Sequence, residues 1–224
     1  MSINKERQTS RIDEDIQDIR KKLDKAFDDN SELELLRLIK EHPILLSTLY
    51  YRRFGSQPVF AEIAFGSEYK CDFLWLNDNS DGPEWTIVEI EKPKMKLFSA
   101  KHDPSASLTH AIGQLDNWRR FFERNKDTKS NLFKAVSRFR WILVAGSVKE
   151  WKLPYNAQWR ADYNRNNKIE IRTSDVFYKS LDLSLQDPTM FEEFERNSPA
   201  GNSAKLKEYV EAYEYLRQWD GYGF

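Results

Sequence analysis

Apolar residues at Ile12, Ile16, Ile19, Leu23 and Phe27 recur at helical spacing within the charged stretch from Arg11 to Asn30. The stripe predicts a narrow amphipathic helix, docked on a domain or used in a dimer contact. Ser31 opens a second helix carrying Leu33, Leu35, Leu36, Leu38 and Ile39. Ser31 and Glu34 occupy the N-cap and N3 positions of a capping box, and Pro43 closes the helix. Ile44 to Tyr51 is a further short apolar segment with helical character.

At Gln57 the pattern turns to strands. Val59 to Phe65 reads as one, Gly66 and Ser67 as a turn, and the aromatic-rich Tyr69 to Leu76 as a second. Asn77 to Pro83 reads as a loop, and Trp85 to Glu91 as a third strand ended by Pro93. Their closeness in sequence predicts an antiparallel meander. Lys94 to Ser107 reads as a polar, mobile connection. Leu108 to Arg124 follows as a helix with Leu108, Ala111, Ile112, Leu115, Trp118 and Phe122 on one face. Trp141 to Ala145 is a continuous apolar run, predicted as a buried strand ended by Gly146. Ile169 to Arg172 reads as a short strand, with Thr173, Ser174 and Asp175 capping a following helix. Asp187 to Ser203 reads as loop, and Lys205 to Trp219 as a last helix.

This order predicts an α/β domain with a mixed sheet flanked by helices over 52–182. An N-terminal helical segment, 1–51, precedes it and a C-terminal helical tail, 183–224, follows.

Composition changes this picture only at its edges. Apolar content of 40% with 14% aromatic marks a folded chain. Charge is dense but balanced, with a net of −1, so any nucleic-acid face must be local. The single cysteine, Cys71, excludes an internal disulfide, and with three histidines it excludes a Cys/His zinc framework. No stretch approaches the roughly 18 apolar residues of a membrane span. The opening residues are polar and charged, so a reducing cytoplasm is the expected location.

Asp72, Glu89 and Glu91 form the strongest chemical constellation. Side chains alternate along a strand, so Glu89 and Glu91 share a face with Trp85 and Ile87, opposite Thr86, Val88 and Ile90. With Asp72 on the neighbouring strand, three carboxylates converge, and their repulsion calls for a divalent cation. From spacing alone, a solvated sheet face or pairing with nearby lysines accounts for these acids as well. Glu62, on the first strand, is a further candidate. His110, Gln114 and Trp118 lie four apart on one helix face; for Trp118 a core position is the alternative. Lys92, Lys94, Lys96 and Lys101 follow the acids, and Arg119, Arg120 and Arg124 follow Gln114. These are the candidate phosphate contacts, with a solvated charged surface as the alternative.

Cys71-Asp72-Phe73 followed by Ile87-Val88-Glu89-Ile90-Glu91-Lys92-Pro93 resembles the signature of PD-(D/E)xK nucleases. More narrowly, the chain resembles the nuclease domain of the Shedu family of bacterial anti-phage defence proteins. The segments Leu108–Leu115, Trp141–Gly146 and Ile169–Asp175 add to the likeness, which spans Val59 to Phe177. The resemblance implies a restriction-endonuclease-like fold. It also implies a Mg²⁺- or Mn²⁺-dependent endonuclease acting on DNA, and a homo-oligomer. It makes Asp72 and Glu89 metal ligands, with the Ile90 carbonyl and an early acid such as Glu62 assisting. Gln114 would position a site residue or DNA. The chain departs from the pattern at Glu91, where a lysine is usual. Lys92 points to the other strand face and does not replace it. That departure keeps a second reading open, a nuclease-fold module that binds DNA or protein without cutting.

Overall fold

The computed structural model describes residues 2–51 and 55–220, with side chains from residue 11 onward. Two helices, α1 (Ser2–Asp28) and α2 (Glu32–Glu41), and a 3₁₀ helix, Pro43–Leu49, lead into the sheet. Ser31 caps α2 through its hydroxyl, which accepts from the Glu34 amide, as its sequence predicts. The three meander strands follow as β1 (Phe60–Phe65), β2 (Tyr69–Asn79) and β3 (Gly82–Ile90). After α3 (Ala106–Arg124) and α4 (Lys126–Phe133) comes β4 (Arg138–Val144). Then come α5 (Val148–Trp151), α6 (Pro154–Asn166) and β5 (Ile169–Arg172). The chain closes with α7 (Val176–Gln186), α8 (Pro188–Glu195), α9 (Ser203–Ala212) and α10 (Glu214–Gln218).

The sheet runs β1-β2-β3-β4-β5, antiparallel across the meander and parallel from β3 to β5. It is the mixed α/β architecture that the pattern predicts. The alternation in β3 holds: Trp85 and Ile87 join one core cluster, while Val88 and Ile90 join the other. The first cluster lies under α3 and contains Leu108, Leu115, Trp118 and Phe122. The second contains Ile12, Ile16, Ile19 and Leu23 of α1 and Leu35 of α2, together with α7 and α8 residues. The amphipathic stripe of α1 is therefore buried against the sheet's own layer. The N-terminal helices share the sheet's core rather than standing beside it. The boundary drawn at residue 52 falls on 52–54, outside the described residues.

Several elements differ from their sequence reading. Asn77 to Pro83 is strand and tight turn, not loop: β2 continues to Asn79, which pairs with Gly82 across two residues. Asn77 donates there to Glu84 and Thr86. Gly82 supplies the required positive φ of 114°. The Lys94–Ser107 connection is anchored rather than loose. Met95, Leu97 and Phe98 are buried, and the Leu97 amide donates to Glu150 at 2.7 Å. Leu97 also packs over Gly146, where an added Cβ would come within 2.7 Å of it. α6 carries no regular apolar stripe, which hid it from a periodicity reading. The last helix breaks at Tyr213, whose extended backbone is held by its hydroxyl donating to Asp78. The Asp175 carboxylate does not cap α7 but accepts from the Val148 amide, tying β5 to α5. Asp187–Ser203 contains α8, started by Pro188.

The ladder changes at one row. Register places Glu62, Asp72 and Glu89 in line across β1, β2 and β3. Glu62 has φ 56°, a left-handed conformation that non-glycine residues rarely adopt. Ala61 and Phe73, on one side of that row, belong to the second core cluster. Ile63 and Cys71, on the other side, belong to the first. The hairpin tip therefore rolls over α3, and Phe65 meets the rings of Trp118 and Phe122. This bend leaves Asp72 facing Glu89 where the β2–β3 pairing stops.

Candidate metal centre

Asp72 and Glu89 form a buried carboxylate pair at the carboxyl end of the central strand. The Asp72 carboxylate accepts from the Ile90 amide at 2.8 Å. That amide would otherwise pair with β2, whose regular register with β3 ends at Phe73 and Val88. Glu89 Oε1 accepts from Gln114 Nε2 of α3 at 2.6 Å. Glu89 Oε2 is buried and meets no donor. The two carboxyl groups are close enough to hydrogen-bond when one is protonated.

Burial pushes both carboxyl pKa values well above the ordinary range. For Asp72 the Ile90 amide opposes this rise, whereas for Glu89 the charge of Asp72 adds to it. Glu91 is also raised, by burial first and by Glu32 next, with His110 and Lys92 opposing. An acidic centre short of donors either holds a proton or recruits a cation.

Glu91 lines a cleft of about 680 Å³ with Lys92, Lys94, Lys96 and His110. Lys92, Lys94 and Lys96 are exposed, alternating with buried Pro93, Met95 and Leu97. Lys94 is held by the α1–α2 turn: its amide donates to Asn30, and its ammonium reaches Asp28. Across His110 and Gln114 lies a second cleft of about 470 Å³, lined by Glu68, Tyr69, Lys70, Asn117 and Trp118. The α3 face that carries His110 and Gln114 thus separates two open clefts beside the pair.

Three expected participants, Glu62, Arg119 and Lys101, are not at the pair. The left-handed backbone at Glu62 takes its side chain out of the row, where Lys40 and Lys70 bind it at 2.5 and 3.3 Å. These lysines hold its pKa down. Arg119 lies on another side of α3, bonded to Asp116 and Glu123. Lys101 is exposed in the turn after Ser99, outside both clefts. Trp118, 1% exposed, takes the core position open to it.

Glu32 is the participant that sequence reasoning passed over. It begins α2 and is near enough to raise the pKa of Asp72, Glu89 and Glu91. An acid in the first helical turn is accounted for by the helix dipole alone, so nothing in its spacing signalled a site.

Among the described residues, no three His, Cys, Asp or Glu side chains already form a metal-holding group. The donor chemistry nonetheless fits a hard cation. Two carboxylates, one with an orphaned buried oxygen, suit Mg²⁺, which takes few protein ligands and keeps its waters. Fold and centre together define a mixed α/β protein with a buried carboxylate pair where its central strand ends. The sequence model described as Shedu protein SduA, C-terminal, matches residues 29–178 of the 224, and the chain belongs to that family. The match takes in α2 and the 3₁₀ helix, which the resemblance from Val59 to Phe177 left out. Membership implies a nuclease-like role in anti-phage defence. No curated protein matches the chain. No helix among the described residues is long and apolar enough to cross a membrane.

If Gln114 positions Glu89, Gln114→Ala should lower metal affinity about 10- to 100-fold, the usual effect of removing a partner that orients a ligand. The metal concentration for half-maximal activity should rise while the melting temperature changes little. An unchanged metal dependence would leave Gln114 only a packing role.

Proposed function

We propose that the chain is a Mg²⁺- or Mn²⁺-dependent DNA endonuclease of PD-(D/E)xK type, working as a homo-oligomer in anti-phage defence. The observation that carries this reading is Glu89 Oε2, buried beside Asp72 and without a donor. Asp72 and Glu89 would hold the cation, with the Ile90 carbonyl completing the protein's share. Bound there, the ion would polarise a phosphodiester and make a water more acidic. The Ile90 amide fixes Asp72, and Gln114 fixes Glu89, so the donors are oriented beforehand. Glu91 stands in the slot where the resemblance expects lysine. Its raised pKa suits a carboxylate that accepts a proton from the attacking water. Lys92 and Lys96, exposed along the same cleft, would take the strand's phosphates.

A non-cleaving, DNA- or protein-binding module is the second reading. Two observations favour it: the glutamate at position 91 and the absence of a ready three-residue metal group among the described residues.

Metal binding separates the proposed reading from one with no metal centre. Mg²⁺ or Mn²⁺ should stabilise the wild type with the logarithm of its concentration, by about 2.7 kcal/mol at a hundred times Kd, and so raise its melting temperature. Glu89→Gln should abolish that rise. A melting curve indifferent to both ions would contradict the metal centre.

A further inference from the structure

The last turns of α3 face a different cleft, of about 350 Å³, lined by Arg119, Phe122, Glu123, Lys129, Arg138, Phe139, Trp141 and Lys168. Phe122 lies eight residues beyond Gln114, so the two sites are about 12 Å apart along the helix. This cleft adjoins the start of β4, whereas the carboxylate pair lies level with its end.

We propose that this cleft binds a nucleotide, its phosphate among the cations and its base on the aromatic wall. Four cationic residues and one acid, Glu123, line it; Asp116, Glu84 and Asp81 pair with the two arginines from outside it, so an anion would meet their spare N–H donors and the lysines rather than a net charge excess. The two guanidinium groups are already oriented. Arg119 is held by Asp116 and Glu123, and Arg138 by Glu84 and Asp81. Each guanidinium carries five N–H donors, and these bonds use two, so donors remain in a fixed fork. Lys168 is exposed at the rim. Lys129 lies partly buried beside Lys126.

The wall supplies the second half of the recognition. Phe139 is only partly buried and stacks on Phe122 at 5.2 Å and 23°, with Trp141 beside it at 5.2 Å. A flat ring backed by further rings is a stacking platform for any base. Together the two features select a nucleoside phosphate over a bare phosphate or an uncharged base. A free nucleotide and the terminal nucleotide of a DNA strand offer the same chemistry.

The test is calorimetric titration of the full chain in chelator, which removes any contribution of a metal at Asp72 and Glu89. The probes are inorganic phosphate, 5′-AMP and a 5′-phosphorylated hexathymidylate. Base stacking should make 5′-AMP bind about tenfold or more tighter than phosphate. Lys168→Glu should weaken 5′-AMP about tenfold, and Phe139→Leu should bring its affinity down to that of phosphate. Asp72→Asn should leave it unchanged, so the result stands apart from the fate of the nuclease reading. Tighter binding of the hexanucleotide than of 5′-AMP would make the ligand a strand terminus; equal or weaker binding would make it a free nucleotide. No saturable binding of 5′-AMP or the hexanucleotide, or binding indifferent to Lys168→Glu and Phe139→Leu, overturns the proposal.

Discussion

Glu89→Gln should abolish metal-dependent DNA cleavage and at the same time make the metal-free protein more stable. The loss of activity follows from removing a ligand charge while keeping the side chain's size; about a thousandfold or more is expected if the ion supplies the main charge stabilisation. The gain in stability follows from the same burial. In the folded protein the pair's carboxyl groups have raised pKa values, so they hold protons that the unfolded chain releases. Stability from these groups is fully present below the ordinary carboxylate range and is lost as pH rises above it. At pH 8 the substitution should gain on the order of 1–3 kcal/mol without metal. The fall in wild-type stability between pH 5 and pH 8 should flatten in the variant. Chemical denaturation with chelator measures it. A variant that is less stable at both pH values would mean that the Glu89 charge is satisfied in the folded protein.

Trp118→Ala should cost about 3–5 kcal/mol, the range for emptying a large aromatic from a packed core. The ring is 1% exposed and meets Phe65 at 5.6 Å, where the rolled hairpin tip closes over α3. Losing it should also loosen the clefts beside Gln114, since Trp118 lines one of them. Urea unfolding of wild type and variant measures the effect. A loss under about 1 kcal/mol would show that the tip packs without it.

The mutual facing of Glu89, Trp85 and Ile87 was legible because a strand's period is two and β3 keeps it throughout. The meander that sets Asp72 beside Glu89 was legible, but its register was not, since it depends on a two-residue turn between Asn79 and Gly82 that read as loop. Gln114 was legible as one face of a helix, since four residues return it to the phase of His110 and Trp118. Arg119, five residues on, is turned about 140° away from Gln114. Charge density alone suggested it as a neighbour of the site. Glu62 was misplaced because nothing in its local sequence announces a positive φ, which glycine or asparagine would have signalled. The polar run from Asn77 to Pro83 looked like loop because side-chain pairing across a hairpin leaves no apolar alternation to read. Glu32 was hidden for the opposite reason: a complete local explanation existed for it.

Glu91 bears on how the centre works. The raised pKa comes first from burial and next from the like charge of Glu32, which would attract a lysine in that slot. In the proposed mechanism the cleft's positive charge comes instead from Lys92 and Lys96, arranged around Glu91 rather than replacing it.

Cleavage of supercoiled plasmid is the most direct measurement, comparing wild type with Asp72→Asn and Glu89→Gln in Mg²⁺ or Mn²⁺ and in chelator. The account predicts nicked or linear product from the wild type with metal, none in chelator, and none from either variant. Intact plasmid with wild type and metal, or cleavage that survives both substitutions, would contradict a nuclease centred on Asp72 and Glu89.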